Sequence, residues 1–247
     1  MKILSRFQAV KDDHKALVVR KLMQSSTPDF DFLYFTGLSV IMATLGLLLN
    51  SPAIVIGSML IAPMLYPVLG IALGLVMSNG SVLGRSTLSL VRSFAIGLGL
   101  AVLATLLFGE VGNVTPEILL RTDATLISVV VAVVAGLAVS YALAQPEWSE
   151  TLPGVAIGVA LIPPLAVTGI GIAWLDMDIV LGSALLLLVN VAGIVFSAMV
   201  SFSLMDLHEK RHVAESTIKK EDTRVREEED AIDKIEKEND NNEHYAQ

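Results

Sequence analysis

Two proline-ended apolar segments contain the residues best suited to form a binding site. Pro52–Pro63 (PAIVIGSMLIAP) returns as Pro153–Pro164 (PGVAIGVALIPP), with Pro, Ile, Gly, Leu, Ile and Pro in register. A proline inside a helix lacks the N–H that would reach the carbonyl four residues earlier. A carbonyl left free in a bilayer is costly unless protein, water or an ion satisfies it. The pattern therefore predicts a solute or ion site made from backbone carbonyls and half-helix ends.

The candidate substrate- or ion-binding residues lie in these two segments or in the spans beside them. They are Gly57, Ser58, Met59, Pro63, Pro67, Arg92, Gly158, Ala160, Pro163, Pro164, Thr168 and Asn190. Met59 and Ala160 are included because Pro63 and Pro164 would free their carbonyls. The glycines are included because they allow close backbone approach. The alternative interpretation is that prolines and small residues only set helix packing.

Arg92 is the only charged residue deep within a predicted span. Because a buried arginine is costly in a membrane, Arg92 either has a functional or paired role or snorkels toward the headgroups. Asn190 occupies the matching place in the last span, where it would bind a polar substrate or form an interhelical hydrogen bond. This interpretation predicts that Arg92→Ala changes function more than Arg85→Ala.

The sequence offers no chemistry for catalysis, a metal or a cofactor inside the apolar block. It has no cysteine, and its histidines lie outside the spans at His14, His208, His212 and His244. An intramembrane metalloprotease would need a pair of histidines within the spans. We therefore expect neither an enzyme nor a metal site. The coupling ion, if transport uses one, is not identified by the sequence.

Composition places the chain among membrane proteins. Hydrophobic residues make up 53% of it, charged residues 17%, and the mean hydropathy is +0.67. Apolar runs of about 20 residues indicate membrane-spanning helices. Six spans are predicted: Phe32–Leu49, Ala53–Met77, Ser86–Phe108, Ala124–Ala144, Gly154–Trp174 and Ile179–Leu204.

The spans divide into two groups of three, separated by the polar loop around Glu110–Asp123. Three spans reverse the direction of entry, so a duplicated second half would be inverted relative to the first. We expect an N-terminal arm (1–30), a membrane domain (31–205, with repeats at about 31–109 and 123–205) and a charged tail (206–247). Of 17 Lys and Arg, six lie in the arm and eight in the tail, which predicts that both ends are cytoplasmic.

Several segments resemble the bacterial and archaeal membrane family labelled domain of unknown function 389. The resemblance rests on Leu38–Leu47, Asn50–Ala53 and Ile56–Met64 in the first half, and on Ala160–Pro164 and Leu187–Asn190 in the second. It extends over about Pro28 to Phe202. It implies a multi-pass membrane domain and supplies no catalytic or ligand residues.

These observations predict an all-α membrane protein with six spans in two inverted three-helix repeats, the second and fifth spans being interrupted by proline. We expect a cell-membrane transporter of a small solute or ion that associates into a homo-oligomer. Its partners would be the lipid bilayer and the solute, not nucleic acid. One alternative is a non-transporting scaffold or sensor that acts through the charged tail, and another is a pore.

The absence of cysteine makes the orientation directly testable. Single Ser5→Cys and Ser216→Cys variants should both resist a membrane-impermeant thiol reagent added to intact cells, and both should react after the membrane is opened. Labelling of either position from outside would contradict a cytoplasmic assignment for that end.

Overall fold

The computed structural model describes residues 12–145 and 153–245, except for the side chains of residues 153–160, 229, 233 and 235–245. In that part of the chain every regular element is a helix. The elements are α1 (Asp12–Ser25), α2 (Phe30–Leu48), α3 (Pro52–Met59), α4 (Leu65–Val76), α5 (Gly80–Phe108), α6 (Pro116–Leu119), α7 (Leu126–Ala144), α8 (Pro153–Trp174), α9 (Met177–Leu204), a 3₁₀ turn (Leu207–Lys210) and α10 (Arg211–Tyr245).

Every predicted apolar segment is helical, which confirms the all-α class. Within the described residues, four helices are long and apolar enough to cross a membrane: α2, α5, α7 and α9. Helix α4 and the Leu161–Trp174 part of α8 are shorter apolar helices. The chain therefore has the helices of a membrane-embedded protein, with its second span divided into α3 and α4.

The expected interruption occurs in the second span and not in the fifth. Helix α3 ends at Met59 and α4 begins at Leu65, so the break surrounds Pro63. Helix α8 continues through Pro163 and Pro164. The prediction that the fifth span is broken there was therefore wrong. Length alone is not the reason, since α5 and α9, with 29 and 28 residues, are longer than Pro52–Val76 and are unbroken. Neighbouring helices pack around α8, and such packing decides whether a proline interrupts a helix.

Helix α8 lies at the centre of the described structure. Every residue from Leu161 to Ile170 is buried. The helix packs against α2, α3, α4, α5, α7 and α9. A helix that is apolar on every side is stable only when surrounded by other helices or lipid. The two consecutive prolines thus lie inside the core, where neighbouring helices hold α8 in place.

The same tight turn joins the second span to the third and the fifth to the sixth. Ser78 and Leu175 both adopt the left-handed region, with φ of 48° and 58°. The next residue caps the following helix in each case, Asn79 on α5 and Asp176 on α9. Each cap accepts two backbone N–H bonds at 3.0–3.2 Å. The turn is therefore repeated in conformation as well as in capping chemistry.

These turns also change the register in which the two halves match. Gly74 and Gly171 occupy the same place in them, because their carbonyls accept from Asn79 N and Asp176 N at 2.9 Å. In sequence, Gly74 lies eleven residues after Pro63, whereas Gly171 lies seven residues after Pro164. The first half thus has four additional residues, about one helical turn, between the proline and the hairpin. The break between α3 and α4 lies beside that extra turn.

Both described ends of the chain lie on the same side of the helix bundle. Helix α1 packs against α10 and the 3₁₀ turn. Lys210 Nζ lies 3.1 Å from Asp12 Oδ2. The contact between the two ends is apolar as well, since Leu22 and Ala214 are fully buried. This arrangement requires an even number of membrane crossings between α1 and α10.

Glycine substitutions should separate sites of close helix packing from open surface. A Cβ on Gly136 of α7 would meet Ser197 Oγ and lie 2.9 Å from Ile194 Cα of α9, whereas a Cβ on Gly99 would meet nothing within 4 Å. We expect Gly136→Ala to lower the free energy of unfolding by about 1–3 kcal/mol because α7 and α9 must separate. Gly99→Ala should be neutral or stabilising. Equal losses in mixed-micelle unfolding measurements would contradict this packing.

Candidate substrate site at the broken helix

The break in the second span meets the proline-bearing part of α8 at one glycine of α5. A Cβ built on Gly97 would lie 2.9 Å from Leu165 Cδ2, 3.2 Å from Val40 Cγ2 and 3.8 Å from Met64 Cε. Met64 follows Pro63, and Leu165 follows Pro164. The two residues are therefore counterparts in the duplicated segment, and both are buried, at 1% and 2% exposure. The missing side chain of Gly97 is what allows them to converge.

A serine on the first span satisfies a carbonyl at the end of α3. Ser39 Oγ donates to the Ser58 carbonyl at 2.6 Å. Ile61 N also donates to that carbonyl, at 3.2 Å. The Ser58 hydroxyl in turn donates to the Val55 carbonyl within its own helix, at 2.6 Å. The predicted site residue Ser58 thus contributes its carbonyl to the α2–α3 contact, while its side chain serves its own helix.

The break brings together two helix ends of opposite polarity. The carbonyls at the end of α3 carry partial negative charge, and the N–H groups at the start of α4 carry partial positive charge. Met64, the N-cap of α4, has no side-chain capping bond. Pro67 removes one further donor from the first turn of α4. Exposed backbone polarity of this kind lies in membrane proteins where it is buried in protein or lines a cavity.

Helices α2 and α5 each carry a buried hydroxyl that has no hydrogen-bond partner among the described residues. They are Thr36 Oγ1 and Ser89 Oγ, both in fully buried residues. Thr36 precedes Val40 by one helical turn, and Ser89 precedes Gly97 by about two. An unsatisfied buried hydroxyl costs roughly 1–3 kcal/mol. Such groups mark positions where a water molecule or a polar solute completes the hydrogen bonding.

The predicted residues Thr168 and Asn190 belong to the contacts of α8 and α9. Thr168 Oγ1 donates to the Pro164 carbonyl at 2.8 Å. It also lies 2.9 Å from Ser183 Oγ. Asn190 is 7% exposed. Thr168 therefore joins α8 to α9 one turn beyond the prolines.

The remaining predicted residues differ in how closely they approach the break. A Cβ on Gly57 would lie 3.2 Å from the Met42 methyl group, so this glycine faces a flexible side chain of α2. Pro63 is half-buried and Pro67 buried. Met59 is 4% exposed. Gly158 and Ala160 lie where the structure describes the backbone of α8 but not the side chains.

Arg92 does not join this group, and Arg85 is the arginine with polar partners. Arg92 is exposed on α5 and has no ion pair or hydrogen bond to a described residue. Arg85 Nη1 pairs with Asp222 of α10, and its Nη2 donates to Thr27 Oγ1 at 3.1 Å. The reason for placing Arg92 in the site, a charge deep in a span that needs a partner, therefore does not apply in the described structure.

Sequence reasoning missed the residues that bring the helices together. Gly97, Ser39 and Ser89 were not among the candidates, although a usable signal was present. Helix α5 has a stripe of small residues at three- to four-residue spacing, which is typical of a closely packed membrane helix. The stripe comprises Ser86, Ser89, Ser93, Gly97 and Ala101.

Comparison with known proteins agrees with the resemblance seen in the sequence. A family model described as "Domain of unknown function (DUF389)" matches residues 59–196. The chain is also 30% identical over 168 residues to an uncharacterized protein of Methanocaldococcus jannaschii, MJ0678. That alignment covers 67% of this chain and 51% of the relative, so the chain spans about half of the relative's length. No solved structure matches the chain.

The family match begins at Met59, so much of the first resembling motif lies before it. The matched region contains the broken span from Met59 onward, Gly97 and the two prolines of α8. The convergence of Met64 and Leu165 therefore lies within the part of the chain that defines the family.

Removing one hydroxyl should show whether the carbonyl at the break needs its partner. We expect Ser39→Ala to lower the free energy of unfolding by about 0.5–1.5 kcal/mol, because the Ser58 carbonyl loses one of its two donors and keeps Ile61 N. Thr44→Val is the matched control, since Thr44 Oγ1 donates to Val40 within α2 at 2.8 Å. A control as damaging as Ser39→Ala in mixed-micelle unfolding would contradict a special role for the α2–α3 bond.

The two arginines of α5 provide a second matched pair. Arg85→Gln should loosen α10, because the Asp222 carboxylate and Thr27 lose their partner. Arg92→Gln should leave α10 docked, since Arg92 forms no ion pair or hydrogen bond with a described residue. Limited proteolysis of α10 in the purified protein measures this difference. Equal cleavage rates in the two variants would contradict it and would restore Arg92 as a residue of interest.

Proposed function

The chain belongs to the family described as a domain of unknown function, DUF389, and we propose that it transports a small solute or ion across the membrane. The binding site lies between the broken second span and the proline-bearing fifth span. The observation that carries this proposal is the convergence of Met64 and Leu165 at Gly97. A discontinuous helix inside a membrane domain is a usual element of a transporter site, and the second span supplies it here.

An inverted duplication would account for several pairs of similar contacts. A Cβ on Gly37 would meet Leu100 of the third span, and a Cβ on Gly136 would meet Ser197 of the sixth. The repeated Asn79 and Asp176 caps follow the same pattern. With three spans in each half, the second half enters the membrane from the opposite side, so a duplication would be inverted. In this proposal the two halves move relative to each other around the contact at Gly97.

The chemistry of the interior favours an uncharged polar solute or a small cation as the substrate. The buried polar groups on the described part of α2, α5, α8 and α9 are hydroxyls and one amide, with no carboxylate or ammonium among them. Hydroxyl and carbonyl oxygens bind a polar solute by hydrogen bonds and an alkali cation by coordination. A multiply charged substrate would meet no opposite charge there and would lose its hydration without compensation.

Within the same proposal, the basic residues near both ends of the chain set the orientation of the protein in the membrane. Because α1 and α10 share one side and carry most basic residues, we place that side in the cytoplasm of a cell-membrane protein. The protein acts as a homo-oligomer. A scaffold that works through the tail is the second candidate, and the docking of α10 against α1 and α5 favours it.

Substitutions at two neighbouring glycines of α5 separate transport from a scaffold role. In proteoliposomes tested by light scattering and ion flux against a panel of small neutral solutes and alkali salts, the native protein should carry at least one. Gly97→Leu should abolish that flux because the added side chain fills the contact with Met64 and Leu165. Gly99→Leu, which faces open space, should retain it.

Truncation of the chain after Glu228 tests the tail instead of the membrane core. It retains the docked part of α10, including Asp222 and Arg224, and we expect flux to remain. Membrane abundance and unfolding must be measured for each variant. Native protein that is folded but passes nothing from the panel would favour the scaffold.

A further inference from the structure

The first part of α10 lies across the ends of two spans. Asn79 Nδ2 donates to Glu215 Oε1 at 2.9 Å, and Arg224 Nη2 donates to Asp29 Oδ2 at 2.8 Å. Asn79 and Asp29 are the N-caps of α5 and α2. Hydrogen bonds from Arg211 and Asn79 lower the pKa of the Glu215 carboxyl, so it accepts these bonds in its charged form. Glu215–Arg224 is therefore fixed at the level where α2 and α5 enter the membrane.

A groove of about 480 Å³ runs along this fixed part of α10. Its lining residues repeat every three or four positions and so share one face of the helix. They are Ser216, Lys219, Lys220, Thr223, Arg224 and Glu227. Three of these side chains are cationic and one is a carboxylate, while the hydroxyls of Ser216 and Thr223 donate to the carbonyls of Val213 and Lys219 within α10. The groove thus carries a net positive charge on largely apolar walls.

The two lysines of the groove are not neutralised within the described structure. Lys219 and Lys220 are exposed, and neither forms an ion pair with a described residue. Arg224 differs, because it pairs with Asp29 at 2.8 Å and with Glu221 at 3.2 Å. Arg224 therefore holds the helix in place, and the lysines supply the unpaired positive charge.

We propose that this groove binds the phosphate group of an anionic lipid headgroup. Basic residues directly outside a membrane span attract anionic lipids by roughly 1 kcal/mol each. The groove lies at the height of the lipid headgroups, because α10 is hydrogen-bonded to the N-caps of α2 and α5. Phe30 and Tyr34, stacked at 5.8 Å and exposed at the start of α2, are typical of a membrane interface. A lipid bound here stabilises α10 on the membrane domain.

The test uses the full-length protein in neutral-detergent micelles, with phosphatidylglycerol, phosphatidylcholine, inorganic phosphate and glycerol 3-phosphate as separate probes. Native mass spectrometry counts retained lipid, and the shift in unfolding temperature reports stabilisation. We expect phosphatidylglycerol to bind and stabilise. K219Q/K220Q should weaken that binding by roughly tenfold or more. Either soluble phosphate matching phosphatidylglycerol would overturn the assignment to lipid, and so would equal binding of phosphatidylcholine.

R226Q/K234Q is the matched control, since it removes two exposed positive charges from α10 outside the groove. It should retain the lipid. Equal loss in the two double variants would show attraction by net charge alone and would overturn the site. K219R/K220R changes the same two positions but keeps both charges, and it should preserve binding. It therefore separates the loss of charge from any structural effect of substitution at these positions. Loss of lipid by a folded K219R/K220R protein would also count against the proposal.

Discussion

Backbone polar groups cannot remain unsatisfied in hydrocarbon, and the arrangement of this protein depends on how one helix break meets that requirement. The break between α3 and α4 interrupts the backbone hydrogen bonding of the second span, and Ser39 reaches across from α2 to donate to the Ser58 carbonyl at 2.6 Å. This bond fixes the position of α2 against α3. Helix α5 then approaches through Gly97, and the buried helix α8 closes the other side. Each neighbour of the break thus either donates to it or lies against it without a bulky side chain.

The two halves treat their prolines differently. The first half, with one additional turn, is broken between α3 and α4, whereas α8 stays continuous through Pro163 and Pro164. A continuous α8, buried from Leu161 to Ile170, provides a rigid wall. The broken span provides the two helix ends and the irregular backbone. An asymmetric pair of this kind places flexible polar backbone on one side of a proposed site and fixed packing on the other.

The sequence predicted the helical class, the apolar segments and the break at Pro63 because these follow from composition, length and the missing proline N–H. It did not predict that α8 stays helical, since neighbouring helices decide whether a proline interrupts or is accommodated. The preference for Arg92 over Arg85 stays a prediction, and the sequence did not show which of the two has polar partners. Depth along a helix can be counted from sequence, but the direction of a side chain depends on which face packs. Gly97 was recoverable, because the stripe of small residues on α5 is a sequence pattern.

The most direct test of the central claim is the accessibility of the two buried residues that meet at Gly97. Met64→Cys and Leu165→Cys can each be introduced alone into this cysteine-free chain, with Val139→Cys as a control that is fully buried on α7. A transporter must expose its site to water during its cycle, so a small water-soluble methanethiosulfonate should modify the first two positions in membranes and leave Val139→Cys unmodified. Modification that is absent at all three positions, in protein shown to be folded, would contradict a site between the second and fifth spans.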